Sequence, residues 1–164
     1  PMSKAGRTGG VRVIDRGYKG AIDRTHALHG TSVKVGLLDD GSMSEDGSIT
    51  LAGIGSVHEY GSELAGVPER SFIRSAIDES AAELVKLQQR LIAAVSAGTM
   101  TPSQALGVLG LWAQAKIQAK ISSNIPPPNA PSTIEAKGSS ATLIDTGRMR
   151  ASIAFEIRLK GGQS

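Results

Sequence analysis

The chain has 164 residues, of which 40% are hydrophobic, and this is enough for one domain with a buried core. Aromatic residues make up only 3% and cysteine is absent, so the core must be aliphatic, and disulfides, thiolate metal sites and thiol catalysis are excluded. The formal net charge of +3 is modest. No apolar run is long enough to predict a membrane span, and no signal peptide is visible, so we expect synthesis and assembly in a cytoplasm.

Basic side chains are concentrated in the N-terminal arm, which we define as residues 1–30. Apolar residues recur there at helical spacing, which predicts an amphipathic helix that ends by Gly30. A solvated helix face is the simpler role for these charges, and contact with phosphate or an acidic protein surface is the alternative. The apolar positions are Ile14, Tyr18, Ile22 and Leu28, and the basic ones are Lys4, Arg7, Arg12, Arg16, Lys19 and Arg24.

Three elements are predicted before the first long helix. Residues 32–38 form a strand, and residues 39–48 form a polar, flexible loop whose acids lack the spacing of an EF-hand calcium site. Residues 49–60 form a short helix that Gly61 stops, because glycine suits a left-handed C-terminal position.

Two long helices follow. Residues 71–97 keep apolar side chains at helical spacing up to Gly98, and a Thr-Pro-Ser-Gln sequence from Thr101 supplies a capping box for a second helix that runs to about Ser123. The second helix is apolar on more than one face, which predicts contact with a neighbouring subunit. The apolar residues are Ile73, Ile77, Leu84, Leu87, Leu91 and Val95 in the first helix, and Ala105, Leu106, Leu109, Trp112, Ala113, Ile117 and Ile121 in the second.

The C-terminal part begins with a Pro-rich connector, residues 124–142, which is extended except for one helical turn at 132–137 before Gly138. Residues 143–164 are predicted to form a turn and a strand, because apolar and polar residues alternate over 151–160 with Ala154 as the one mismatch. The predicted fold is therefore a single α+β domain over residues 1–164: two long helices packed against a small, mainly antiparallel sheet, with an N-terminal helix and a flexible loop.

The sequence Asp145-Thr146-Gly147 allows two interpretations. Aspartic proteases carry such a loop, but they need a long β-rich stretch after it, and the adjacent arginines would hold the aspartate pKa down. We therefore predict that Asp145 N-caps a turn in which Gly147 allows a tight bend.

Other candidate catalytic or metal sites are weak. His26 and His29 could share a helix face, but no third metal ligand is indicated. His58 and Glu59 are adjacent, so in a helix they do not face each other as an acid–base pair. The sequence predicts no enzyme, no metal and no cofactor.

Four short sequence blocks, which follow one another along the chain, are together more specific than these candidate sites. They resemble the neck and tail-completion proteins of tailed bacteriophages, including the virion-morphogenesis proteins of Mu-type phages, over about residues 33–157. One departure is Ser71, where that family often has proline. The blocks are His58-Glu59-Tyr60-Gly61; Val67-Pro68-Glu69-Arg70-Ser71-Phe72-Ile73-Arg74; Thr133-Ile134 with Lys137-Gly138; and Leu143-Ile144-Asp145-Thr146-Gly147-Arg148-Met149-Arg150-Ala151-Ser152-Ile153.

The resemblance implies a structural virion protein, assembled in the host cytoplasm, that forms a hexameric or dodecameric ring between head and tail. Its partners would be its own copies, head connector or portal-side proteins, and the tail tube or terminator, with passing contact to phage DNA and none to membrane. A tail terminator and a basic nucleic-acid-binding module are the alternatives. The implied interaction residues are Glu59, Tyr60, Gly61, Pro68, Arg70, Phe72, Arg74, Asp145, Thr146, Gly147 and Arg148.

The side chains of two blocks suggest specific contacts. Tyr60 and Phe72 flank a crossover and are predicted to pin it onto the first long helix. Arg70 and Arg74 lie one turn apart and could reach Glu59 or a carboxylate of a partner, a surface ion pair within the chain being the alternative.

Overall fold

The computed structural model describes residues 16–38, 41–44, 47–138, 140, 142–143 and 147–159. Within these ranges the chain forms seven helices and one two-stranded antiparallel sheet, which confirms the predicted α+β class. The elements are α1 Tyr18–His26, β1 Ser32–Leu37, α2 Leu51–Tyr60, α3 Arg74–Glu79, α4 Ala81–Ala97, α5 Pro102–Ser122, α6 Pro131–Lys137, α7 Arg148–Ala151 and β2 Ile153–Arg158.

The sheet joins the two ends of the described chain. Ser32 of β1 lies opposite Arg158 of β2, and Leu37 lies opposite Ile153. Helix α5 packs across both strands, and the side-chain amide of Gln114 on this helix donates a 2.6 Å hydrogen bond to the carbonyl oxygen of Ile153. Helix α5 therefore covers one face of the sheet.

The two long helices have different roles. Helix α5 contacts the sheet, whereas α4 packs mainly against α1 and α5. The buried residues accordingly fall into two clusters, one beneath the sheet and one between α4 and α5. The first comprises Phe72, Ala76, Ile117, Ile121, Ile125, Leu143, Met149 and Ile153, and the second comprises Leu87, Leu91, Val95 and Ala105.

The predicted single helix over residues 71–97 is wrong, because the chain forms two helices, α3 and α4, with a break at Ser80. Ala76 of α3 is buried in the cluster beneath the sheet, whereas Leu87 of α4 belongs to the second cluster. One straight helix cannot direct one apolar stripe at two clusters in different places, so the chain changes direction between them.

The helix boundaries that depend on local capping are confirmed. The hydroxyl of Thr101 accepts from the backbone N–H of Gln104, whose side chain accepts from the N–H of Thr101. Gly98 ends α4 in the left-handed conformation, at φ 78° and ψ 14°. Gly61 differs from expectation, because its φ of 73° comes with a ψ of 170° and the chain leaves α2 in an extended direction.

The predicted C-terminal turn is a short helix, and its last residue, Ala151, lies where the alternation predicted strand. Residues 148–151 form α7 after Gly147, which has a φ of 76°, and β2 begins at Ile153. The predicted cap, Asp145, and its neighbour Thr146 lie outside the described residues. In the predicted flexible loop, Met43 pairs with Thr50 in an antiparallel bridge.

Candidate functional site

Glu59, the last residue but one of α2, holds together the best-defined polar site. The residue is 3% exposed. Its carboxylate accepts hydrogen bonds from the backbone N–H groups of Phe72, at 2.7 Å, and of Ile73, at 2.9 Å. It also accepts from the N–H of Arg74, at 3.0 Å, and from the hydroxyl of Ser71, at 2.8 Å. The carboxylate thus binds every residue from 71 to 74.

These bonds explain where α3 begins. The first N–H groups of a helix have no partner within it, and a carboxylate satisfies them more strongly than a neutral acceptor does. Burial by itself would raise the pKa of the Glu59 carboxyl, but the hydrogen bonds from Ile73, Arg74, Ser71 and Phe72 together lower that pKa below its ordinary value of 4.5. Ser71 therefore contributes a hydroxyl donor that a proline at this position could not supply.

Arg74 completes the cap from the solvent side. Its Nε lies 3.1 Å from Glu59 Oε1, and its Nη2 donates to the backbone carbonyl oxygen of Glu59 and to the carboxylate of Glu69. These hydrogen bonds, to Glu59 first and Glu69 second, raise the pKa of the guanidinium. The predicted contact between Arg74 and Glu59 is therefore present. The Glu59 carboxylate in this contact is buried, so the contact is not the surface ion pair that was the alternative.

Arg70 does not reach Glu59. Its backbone N–H donates to the carbonyl oxygen of His58, and its side chain extends to the Pro-rich connector. There Nε donates to the carbonyl oxygen of Pro127, at 2.9 Å, and Nη2 donates to that of Pro128, at 3.2 Å. Proline leaves no N–H in this stretch, but its carbonyl groups remain good acceptors for a guanidinium. Arg70 thereby fixes the connector to the crossover.

The two aromatic residues have unequal roles. Phe72 is fully buried in the cluster beneath the sheet, with Ala76 of α3, whereas it was predicted to contact the first long helix. Tyr60 is 66% exposed, and its ring lies under the guanidinium of Arg74, at 4.9 Å from the ring centroid. Only Phe72 pins the crossover to the core, because Tyr60 lies at the end of α2 on the solvent side of the Arg74 side chain.

Three segments therefore meet at one place, which we call the Glu59 junction: the end of α2, residues 68–74 up to the start of α3, and the connector at Pro127 and Pro128. The first two belong to the blocks of the resemblance, and the connector at Pro127 and Pro128 does not. Gly61 belongs to the same region, since a Cβ there would lie 2.9 Å from the backbone nitrogen of Glu69.

A cavity of about 650 Å³ lies beside the junction, between α2, the connector and the C-terminal turn. Pro68, Arg70, Gly147 and Arg148 line it, so it brings the second and fourth blocks of the resemblance to one surface. Arg148 Nη2 also donates to the carbonyl oxygen of Met43, at 3.0 Å. Sequence reasoning missed this cavity, because Thr142 and Asn129 in its lining belong to no recognisable pattern.

The described part of the basic arm contains an internal contact that the sequence did not predict. Arg24 on α1 donates to the carbonyl oxygen of Ser96 from Nε, at 3.0 Å, and from Nη2, at 2.7 Å. Ser96 lies in the last turn of α4, where helix carbonyl groups lack partners and a cation is favourable. Arg24 is therefore a helix-capping residue, while Lys4, Arg7 and Arg12 lie outside the described residues.

No group of three or more histidine, aspartate or glutamate side chains that could hold a metal occurs in the described ranges. In the same ranges, no helix has both the length and the apolar character needed to cross a membrane.

Acidification is expected to remove the stabilisation that Glu59 provides. Because the pKa of Glu59 is lower in the folded chain than its ordinary value of 4.5, the stabilisation is complete above pH 4.5 and declines as the pH falls through the folded-state pKa. The measurement is the urea midpoint as a function of pH, for the wild type and for Glu59→Gln. The difference between the two should shrink on acidification, whereas parallel curves would show that the carboxylate charge contributes nothing.

Comparison with protein-family models, with curated proteins and with solved structures finds no match for this chain.

Proposed function

We propose that the protein is a structural virion protein of a tailed bacteriophage, which forms a ring at the head–tail junction and joins the head connector to the tail. The observation that carries this proposal is the Glu59 junction. Glu59, Arg70, Phe72 and Arg74, which were selected from the resemblance, converge there and are engaged in contacts within the chain. Their role is to fix the shape of a subunit.

A fixed shape is what a ring subunit requires, because a small error in the angle between copies prevents the ring from closing. The Glu59 junction fixes the shape of the subunit in segments that lack regular secondary structure. Residues 61–73 and 123–130 contain no helix or named strand. Hydrogen bonds to the Glu59 carboxylate fix the first segment to α2, and hydrogen bonds from the Arg70 guanidinium fix the second segment to the first.

The proposed contact between copies uses apolar side chains that the long helices leave exposed. Leu111 on α5 is 59% exposed, and Val108 on the same helix is 40% exposed. Val85 and Ile92 on α4 are about half exposed. In a ring, each subunit offers one surface to a different surface of the next, and apolar area that is exposed in one chain is buried in the assembly.

The test is the mass of the purified protein by light scattering across a concentration series, alone and mixed with tail-tube subunits. A discrete ring-sized species, alone or on the partner, is expected. Leu111→Glu should prevent its formation, because it places a charge in the apolar contact. The control is Ser103→Glu, which adds the same charge to the first turn of α5, where a carboxylate is favourable. A protein that remains monomeric under all these conditions contradicts the proposal.

The same sample distinguishes the nucleic-acid-binding alternative. A module that binds DNA through the basic arm should lose affinity steeply as salt rises, since each phosphate contact releases a counterion. The joining protein should instead retain its assembly when DNA is absent. DNA binding with a steep salt dependence and no ring would favour the alternative.

A further inference from the structure

The cavity beside the Glu59 junction contains a buried cation with no carboxylate against it. Arg70 is 5% exposed and lines the cavity. Its partners in the described chain are the carbonyl oxygens of Pro127 and Pro128, and it forms no ion pair there. A buried guanidinium is normally paired with an anion, because carbonyl dipoles replace its hydration only in part. Burial accordingly lowers the pKa of Arg70, with no opposing contribution from an acid.

A second polar group in the cavity, the Thr142 hydroxyl, has no hydrogen-bond partner. Thr142 is 5% exposed and lines the same cavity. Its backbone N–H donates to Asn124 Oδ1, but its hydroxyl oxygen is buried and has no hydrogen-bond partner. A buried hydroxyl without a partner costs about 1–3 kcal/mol, so its presence requires a reason.

The other ionisable side chains that line the cavity favour a negatively charged ligand. The ionisable side chains in the lining are His58, Arg70 and Arg148, and no acid from the described ranges contributes. Arg148 is exposed and lies where it can attract an anion from solvent. The walls between these groups are largely apolar, being formed by Leu51, Ile54, Val67, Leu143 and Met149.

We propose that this cavity is a binding site for a carboxylate attached to an apolar group, with Arg70 as its counter-ion and the Thr142 hydroxyl as a hydrogen-bond donor. The apolar side chains in the lining match an apolar group attached to the anion, and the one buried cation, Arg70, matches a single negative charge. The carboxylate belongs either to an acidic side chain in an extended segment of another protein or to a small free organic acid. The site does not depend on ring formation.

Two pairs of probes test the site, each pair being a carboxylate and its neutral counterpart of the same shape. The first pair is isovalerate and isovaleramide, and the second is acetyl-Leu-Glu-Leu-amide and acetyl-Leu-Gln-Leu-amide. Binding is followed by chemical-shift changes in the NMR spectrum of the ¹⁵N-labelled protein, including the Nε–H of Arg70 and the backbone N–H of Thr142. At least one carboxylate should bind more tightly than its neutral counterpart.

Thr142→Val separates the site from the fold. It removes the hydroxyl with little change of shape, and since that hydroxyl has no partner in the chain, the variant should fold as well as the wild type. Its affinity for the carboxylate probe should fall about tenfold, as expected for loss of a hydrogen bond to a charged group. Arg148→Gln should also weaken binding, and the matched control, Arg150→Gln, removes the same charge from the same helix outside the cavity and should not.

Each outcome decides the proposal. Equal binding of charged and neutral probes, or unchanged affinity in Thr142→Val, overturns it. Binding of the Glu peptide alone identifies a segment of another protein as the source, and binding of isovalerate identifies a small acid. Light scattering on the same samples reports ring formation separately, so failure of the site and failure of the assembly proposal can be told apart.

Discussion

Replacing Glu59 by alanine is expected to lower the free energy of unfolding by about 2–4 kcal/mol, because a buried and a half-buried backbone N–H lose their acceptor and each such loss costs about 1–3 kcal/mol. The backbone N–H groups of Phe72, Ile73 and Arg74 all lose their acceptor, and that of Phe72 is buried beneath the sheet. The guanidinium of Arg74 is half exposed and can be solvated, so the loss arises mainly from the backbone groups. Urea denaturation monitored by circular dichroism measures it.

Glu69 provides the matched control for this prediction. It bonds to the same guanidinium, through Arg74 Nη2 at 2.7 Å, but its side chain is 56% exposed. Glu69→Ala should change stability little, because exposed ion pairs are weak. Glu59→Gln should fall between the two alanine variants, since the amide keeps one acceptor and loses the charge. Equal effects of Glu59→Ala and Glu69→Ala would contradict the junction as a source of stability.

Gly110→Ala is expected to destabilise the protein although alanine is the better helix former. A Cβ at Gly110 would lie 2.3 Å from Phe155 Cδ2 and 2.6 Å from Phe155 Cγ. The Cγ atom is close to the backbone of β2, so the ring cannot rotate away and the strand must move from α5. Overpacking of this kind costs about 1–3 kcal/mol, against a gain of roughly 1 kcal/mol in helix propensity.

Gly107, three residues earlier on the same helix, is the control. A Cβ there would lie 3.9 Å from Ile157 Cδ1, which is an ordinary contact. Gly107→Ala should therefore stabilise the protein by about 0.5–1 kcal/mol, so the two substitutions should shift the urea midpoint in opposite directions. Equal stabilisation by both would show that α5 and β2 are not held at the described distance.

The sequence by itself determined the elements whose signals are local. The capping box at Thr101 and the left-handed Gly98 placed two helix boundaries, because both depend on hydrogen bonds within a few residues. The sequence patterns of residues 32–37 and 153–158 predicted both strands, although the C-terminal strand was expected to begin earlier, at Ala151. The resemblance grouped Glu59, Arg70, Phe72 and Arg74 as predicted interaction residues, without showing which of them meet.

The tertiary structure decided the contacts between distant segments. Helical spacing over residues 71–97 could not reveal the break at Ser80, because the pattern is the same whether one helix faces one cluster or two helices face two. The carbonyl partners of Arg70 and the Ser96 partner of Arg24 were equally hidden, since a backbone carbonyl carries no sequence signal. Local hydrogen bonding is encoded within a few neighbouring residues, but which buried charge meets which acceptor is fixed only when helices, sheet and connector pack together.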